Sequence, residues 1–326
     1  MQTCYRRMAG LTLVELMVSL AIGSFLMVGS VQIYSQSRHA YIINDSIARV
    51  QETAQFAMDT IEADLRMASN FGRNSRADTI EGRAIIGDNN PDGLTLDNSC
   101  GASWILDLTR PIEGDNNNYG LTCAATGAGG AQPNSDTVTT RRATVFAAAL
   151  VPGEGRLQIQ STRLQGQIMD DGQIPPGFDA LSSETHNLLV NSYYVAASSA
   201  LIPGVPTLRR KTLGVTGGAP QITDIEVAPG VENMQLQFGV DMDGDNTVDR
   251  YVNPGDPVLD PANANWVPTA RVMTARIWLV VRSISVETGI IDQTDYEPGD
   301  VDLGVPNDEF RRLIVSKTIL LRNARS

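Results

Sequence analysis

Residues 8–34 read MAGLTLVELMVSLAIGSFLMVGSVQIY, and their reading decides the fold. From Leu16 to Tyr34 the run is apolar for 19 residues, close to the length that spans a bilayer as a helix. Arg6 and Arg7 precede it with no acidic residue on that side. The positive-inside rule then leaves the N-terminus in the cytoplasm and carries everything after Tyr34 across the membrane. Glu15 sits within this apolar stretch, where a bare carboxylate is expensive and by default functional. An ordinary signal anchor has no use for it, and a cleaved secretory signal is cut after its apolar region, not before it.

The stripe continues past the apolar run. Ile43, Ile47, Val50, Ala54, Met58, Ile61, Leu65 and Ala68 recur at steps of three and four, the period of an amphipathic helix. Asp45, Arg49, Glu52, Asp59, Glu62 and Arg66 fall on other faces, and Glu62 and Arg66 form a favourable i,i+4 pair. No proline interrupts the stretch, so one helix from Thr12 to Ser69 is expected, capped by Gly72. Beyond it, Gly, Pro, Asn and Asp separate short runs of β-formers. Strands are expected at 94–97, 103–108, 137–150, 156–161, 188–197, 207–212, 234–240, 270–283 and 313–322, with long loops at 109–136 and 285–309. The organisation is α+β. After the first ten residues, 11–70 read as a long helix (11–34 membrane-embedded, 35–70 amphipathic) and 71–326 as a β-rich head.

Composition narrows the function. Hydrophobic residues make up 42% of the 326, and net charge is −12, which disfavours binding to nucleic acid or to an anionic membrane surface. Arg141–Arg142 and Arg209–Lys211 are local basic patches that read as solvated strand ends. Catalytic residues are not found: His39 and His186 lie far apart, neither Lys211 nor Lys317 follows a glycine, and no nucleophile elbow or metalloprotease motif occurs. The chain is read as a non-enzyme. Cys4 precedes the span, whereas Cys100 and Cys123 form an even pair on the oxidising side, where a disulfide is expected.

DMDGDNTVDRY, from Asp241, places Asp241, Asp243, Asp245 and Asp249 at metal-loop spacing, with Thr247 as a carbonyl donor and Gly244 permitting a tight turn. A Ca2+ ion would relieve the repulsion among four carboxylates. The twelfth position is Val252, not a bidentate Glu, and the flanks read as strands, so this is no EF-hand. A plain strand-to-strand turn with solvated aspartates stays open beside the calcium reading.

The stretch GLTLVELMVSLAIGS, with its basic leader, Gly10, apolar Leu11 and Glu15, resembles the prepilin signal of type IV pilins and type II secretion pseudopilins. The resemblance implies cleavage between Gly10 and Leu11 by a prepilin peptidase, methylation of the new Leu11 amine, and a role for Glu15 in filament assembly. Leu11 departs from the phenylalanine more common in that family. Downstream, NSYYVAASS, TLRRKTL, VAPGVENMQLQFGVDMDGDNTVDRYV, TARIWLVVRS and EFRRLIVSKTILLRN follow in an order similar to PilW-type minor pilins. That resemblance implies a pilin-like fold and a structural part in assembling or priming a type IV pilus, serving motility, adhesion or DNA uptake. Its partners would be other minor and major pilins and the prepilin peptidase. The implied location is the inner membrane with a periplasmic head, then the pilus or cell surface. A J-type pseudopilin of type II secretion and a membrane-anchored, calcium-dependent adhesin are the rival readings.

Overall fold

A computed structural model describes residues 10, 12–84, 100 and 102–325. The expected strand at 94–97 lies outside the described residues, as does Leu11. The chain divides into two compact units, residues 1–48 and 49–326. The division falls inside helix α1 (Leu13–Leu65), well before residue 70, because from Val50 onward the helix is built into the head's core.

The buried face of α1 comprises Val50, Ala54, Ala57, Met58, Ile61, Asp64 and Leu65, while Ile43 and Ile47 are half-buried. The helix ends earlier than the periodicity suggests. After Leu65 the chain tightens through turns to Asn70, and Ser69, at φ 65°, takes the left-handed conformation that closes it. Gly72 does not cap the helix. It serves the tight turn between Phe71 and Asn74, where a Cβ would lie 2.5 Å from Ser161 Oγ and 2.6 Å from His186 Cδ2. Only glycine fits that approach.

The head contains two sheets. The larger has eight strands: β1 (Ile80–Glu81), β2 (Ile112–Asp115), β3 (Thr137–Ala143), β4 (Gln158–Ser161), β5 (Gly166–Met169), β6 (Glu184–Ala196), β7 (Thr207–Thr216) and β8 (Ala219–Pro229). They are ordered β1-β5-β4-β6-β3-β2, and β7 pairs with both β6 and β8. The smaller runs β10-β9-β11-β12, from β9 (Val231–Asp241), β10 (Arg250–Val252), β11 (Arg271–Arg282) and β12 (Arg312–Leu320). One core cluster joins Ala54, Met58, Ile61 and Leu65 of α1 to Leu236, Phe238, Ile277 and Leu279 of the smaller sheet and to Val138, Tyr193 and Leu208 of the larger. A second gathers Phe71, Ile105, Ile159, Leu188 and Val190.

Several strands differ from the sequence expectation. Residues 103–108 contain helix α2 (Ala102–Leu106), because a short apolar run carries no period that separates strand from helix. β3 stops at Ala143 rather than 150. β8 was not expected, and β2 interrupts the long 109–136 loop. β7 and β8 form a hairpin around Gly217 and Gly218, both at positive φ, the turn that two-residue hairpins favour. Opposite charges meet across it, Arg209 on Glu226 and Lys211 on Asp224. R-x-K, a Gly-Gly turn and D-x-E are the sequence signal that finds β8.

Candidate functional site

The N-terminal turn of α1 is a capping box. Thr12 N and Thr12 Oγ1 donate to Glu15 Oε2 at 2.9 and 2.8 Å, and Glu15 N donates to Thr12 Oγ1 at 3.3 Å. The Thr-x-x-Glu spacing is legible in the sequence and gives Glu15 a local structural role beside any intermolecular one. Gly10 is exposed one residue before Leu11. Around Glu15 the helix presents bare apolar side chains, Leu13 at 74% and Phe25 at 80% exposure. Its length and composition suffice to cross a membrane.

Further along α1, Asp64 is a buried hub that sequence patterning does not reveal. Its Oδ1 accepts from Arg142 Nε and Nη2 at 3.0 and 2.6 Å. Its Oδ2 accepts from Asn191 Nδ2 at 2.7 Å and from the Tyr193 hydroxyl. One carboxylate thereby ties the helix to β3 and β6. At the edge of the smaller sheet, Lys317 of β12 donates to Glu62 of the same helix.

Cys100 and Cys123 are joined by a disulfide. Thr122 Oγ1 donates to Cys100 O, and Tyr119 OH donates to Cys123 O. Lys211 Nζ donates to Ala124 O at 2.9 Å, and Thr126 N donates to the Tyr194 hydroxyl at 2.9 Å. These bonds tie the segment just after the bridge to β6 and β7.

The acidic loop links β9 to β10. Carboxylate oxygens of Asp241, Asp243 and Asp249 lie within 4.8 Å of one another, close enough to share one cation. Asp245 is not brought into that group: its Oδ1 accepts from Thr247 N and Thr247 Oγ1. Burial pushes the Asp241 carboxyl up, but the amides of Gly244 and Asn246, donating at 2.7 and 2.8 Å, outweigh it and hold the group below the usual carboxylate range. It is therefore ionised and oriented, as a metal ligand requires. A second exposed trio, Asp295, Glu297 and Asp302, lies in the 285–309 loop and was not anticipated.

Comparisons with known proteins agree on the two ends of the chain. Residues 192–323 match the family model of the type IV pilus-assembly protein W, and residues 5–31 match the prokaryotic N-terminal methylation motif. No curated protein matches. Among solved structures, a type IV-like pilin, TTHA1219 from Thermus thermophilus, is similar over 62% of this chain and 83% of its own, at 14% identity and a TM-score of 0.26.

Proposed function

We propose that the chain is a PilW-type minor pilin of a type IV pilus, a reading supported by the match of residues 192–323 to the type IV pilus-assembly protein W and of residues 5–31 to the N-terminal methylation motif, and that its N-terminal helix works in assembly as follows. The apolar half first anchors the precursor in the inner membrane with the head on the periplasmic side. Removal of the leader before Leu11 creates a positive amine four residues from Glu15. In a filament, where apolar helices pack and exclude water, that amine and the Glu15 carboxylate of a neighbouring subunit compensate one another. The head then faces outward and contributes to initiating or capping the pilus, as a structural subunit rather than a catalyst.

One observation carries this reading: a Gly10–Leu11 junction directly before a capped, apolar-faced helix whose only early carboxylate is Glu15. Mass spectrometry of the N-terminus in sheared pili tests it. N-methyl-Leu11 is the expected species. An intact leader, in membranes of cells with an active prepilin peptidase, would instead favour the anchored adhesin.

A second reading, the binding of Ca2+, is supported by the convergence of Asp241, Asp243 and Asp249. Bound there, calcium would neutralise repulsion and fix the β9–β10 connection, with affinity of about 0.1–1 mM as in extracellular modules. Millimolar Ca2+ is expected to raise the melting temperature and give a titration isotherm, both lost in Asp243→Ala. No change in the unaltered protein means a plain turn.

A further inference from the structure

β12 is an edge strand, paired only with β11. Its nine residues, Arg312–Leu320, match Arg282–Thr274 one for one without a bulge. Leu321 N donates to Met273 O at 2.9 Å, and Ser283 N donates to Arg311 O at 2.8 Å. In an antiparallel ladder this phase turns the odd-numbered residues toward β11 and the even-numbered ones away. Arg312, Ile314, Ser316, Thr318 and Leu320 therefore point N–H and C=O outward. Among the described residues, none of these backbone groups has a hydrogen-bond partner. Of these residues, Ser316, Thr318 and Leu320 are exposed and Arg312 and Ile314 are half-buried.

The other edges are blunted. β1, β2 and β10 have two, four and three residues. β8 carries Pro220 and Pro229, and its pairing with β7 is broken by a register shift. Such devices discourage strand addition, and β12 has none of them. Its two charges, Arg312 and Lys317, are neutralised by Glu232 and Asp308 and by Glu62, and so lose their deterrent effect.

We infer that the outward edge of β12 is an assembly surface that takes an extended strand from the head of a different pilin subunit. Backbone hydrogen bonds would supply the attraction, and a protein strand is the ligand whose donors and acceptors match the row. Self-pairing is the obvious competitor. The edge is self-complementary about Ser316, pairing Arg312 with Leu320 and Ile314 with Thr318. That two-fold, however, reverses the second copy's Val50–Leu65 stretch of α1, which packs on the inner face of this sheet. A filament of subunits that share one polarity, as the pilin reading requires, has no place for a copy reversed in this way. A copy in the same orientation offers at the far edge of this sheet only the three residues of β10. The identity of the partner rests on the pilin reading; the openness of the edge does not.

The test uses the full-length chain in cells that assemble pili, with a photo-crosslinking residue at Thr318. The expected adduct joins it to a strand of another pilin subunit. Ser316→Pro removes an outward N–H without touching the β11 ladder and is expected to abolish the adduct, whereas Ser316→Ala preserves it. Formation of the Cys100–Cys123 bridge reports that the head is intact, and Ile314→Pro serves if Ser316→Pro fails that check. Absence of an adduct, survival of the adduct in the folded proline variant, or an adduct confined to a second copy overturns the proposal. The N-terminal mass separates the two readings. A processed Leu11 without an adduct sinks the edge alone, and an adduct on an unprocessed chain sinks the pilin reading alone.

Discussion

Two buried carboxylates show how single residues hold this head together, and they act in opposite senses. Asp64 is almost fully paired, so replacing it with Ala strands the Arg142 guanidinium in the core. Removing one partner of a buried pair costs about 3–5 kcal/mol, and denaturant melts of Asp64→Ala are expected to lose that much. Asp136 is fully buried and, among the described residues, accepts from the amides of Asn117 and Leu236, each at 2.7 Å. Burial, opposed by those amides and reinforced by Asp300 and Asp115, pushes its carboxyl up to about 7. A folded pKa above the unfolded one means that the folded state favours the protonated form. Its stabilising contribution is complete below the ordinary value of 3.8 and is lost as pH rises through about 7. The melting temperature is expected to fall between about pH 4 and pH 7, and Asp136→Asn to flatten that slope. Neither role was legible beforehand. The partners of Asp64 lie 78, 127 and 129 residues away, and a carboxylate on a helix reads as solvent-facing until those partners are placed.

At the scale of elements, the sequence was most informative where a period repeats over many residues. The helix of α1 announces itself by steps of three and four, and the long strands β6, β9, β11 and β12 by runs of β-formers. Short elements such as β1, β2, β5 and α2 have too few residues to show any period. The acidic loop illustrates a subtler shortfall. Spacing put Asp241, Asp243, Asp245, Thr247 and Asp249 on equal terms, but local hydrogen bonding to Thr247 diverts Asp245. The disulfide is an element-level constraint of the same kind. Closing a loop of this length removes about 3 kcal/mol of unfolded-state freedom, and loss of a native bridge typically costs about 2–5 kcal/mol. Cys123→Ser is expected to lower stability within that range and to loosen the hold of the Tyr119–Thr126 segment on β6 and β7. Hydrogen exchange at the Thr126 amide, which donates to Tyr194, would register the change.

On the proposed reading, one apolar surface of the molecule serves two environments in succession, lipid and then a protein filament. Glu15→Ala is expected to leave leader cleavage unchanged and to reduce the amount of this chain in sheared pili. Normal recovery of the variant would remove Glu15 from the assembly mechanism. The Thr12–Glu15 turn adds a consequence concerning time rather than strength. If the precursor is held in the bilayer before processing and assembly, as proposed, an unsatisfied carboxylate would throughout that interval invite chance encounters with any nearby cation. Glu15 Oε2 is instead occupied by the Thr12 amide and hydroxyl. An incoming amine that takes Glu15 Oε2 must therefore displace Thr12 from it, so pairing competes with a contact already made.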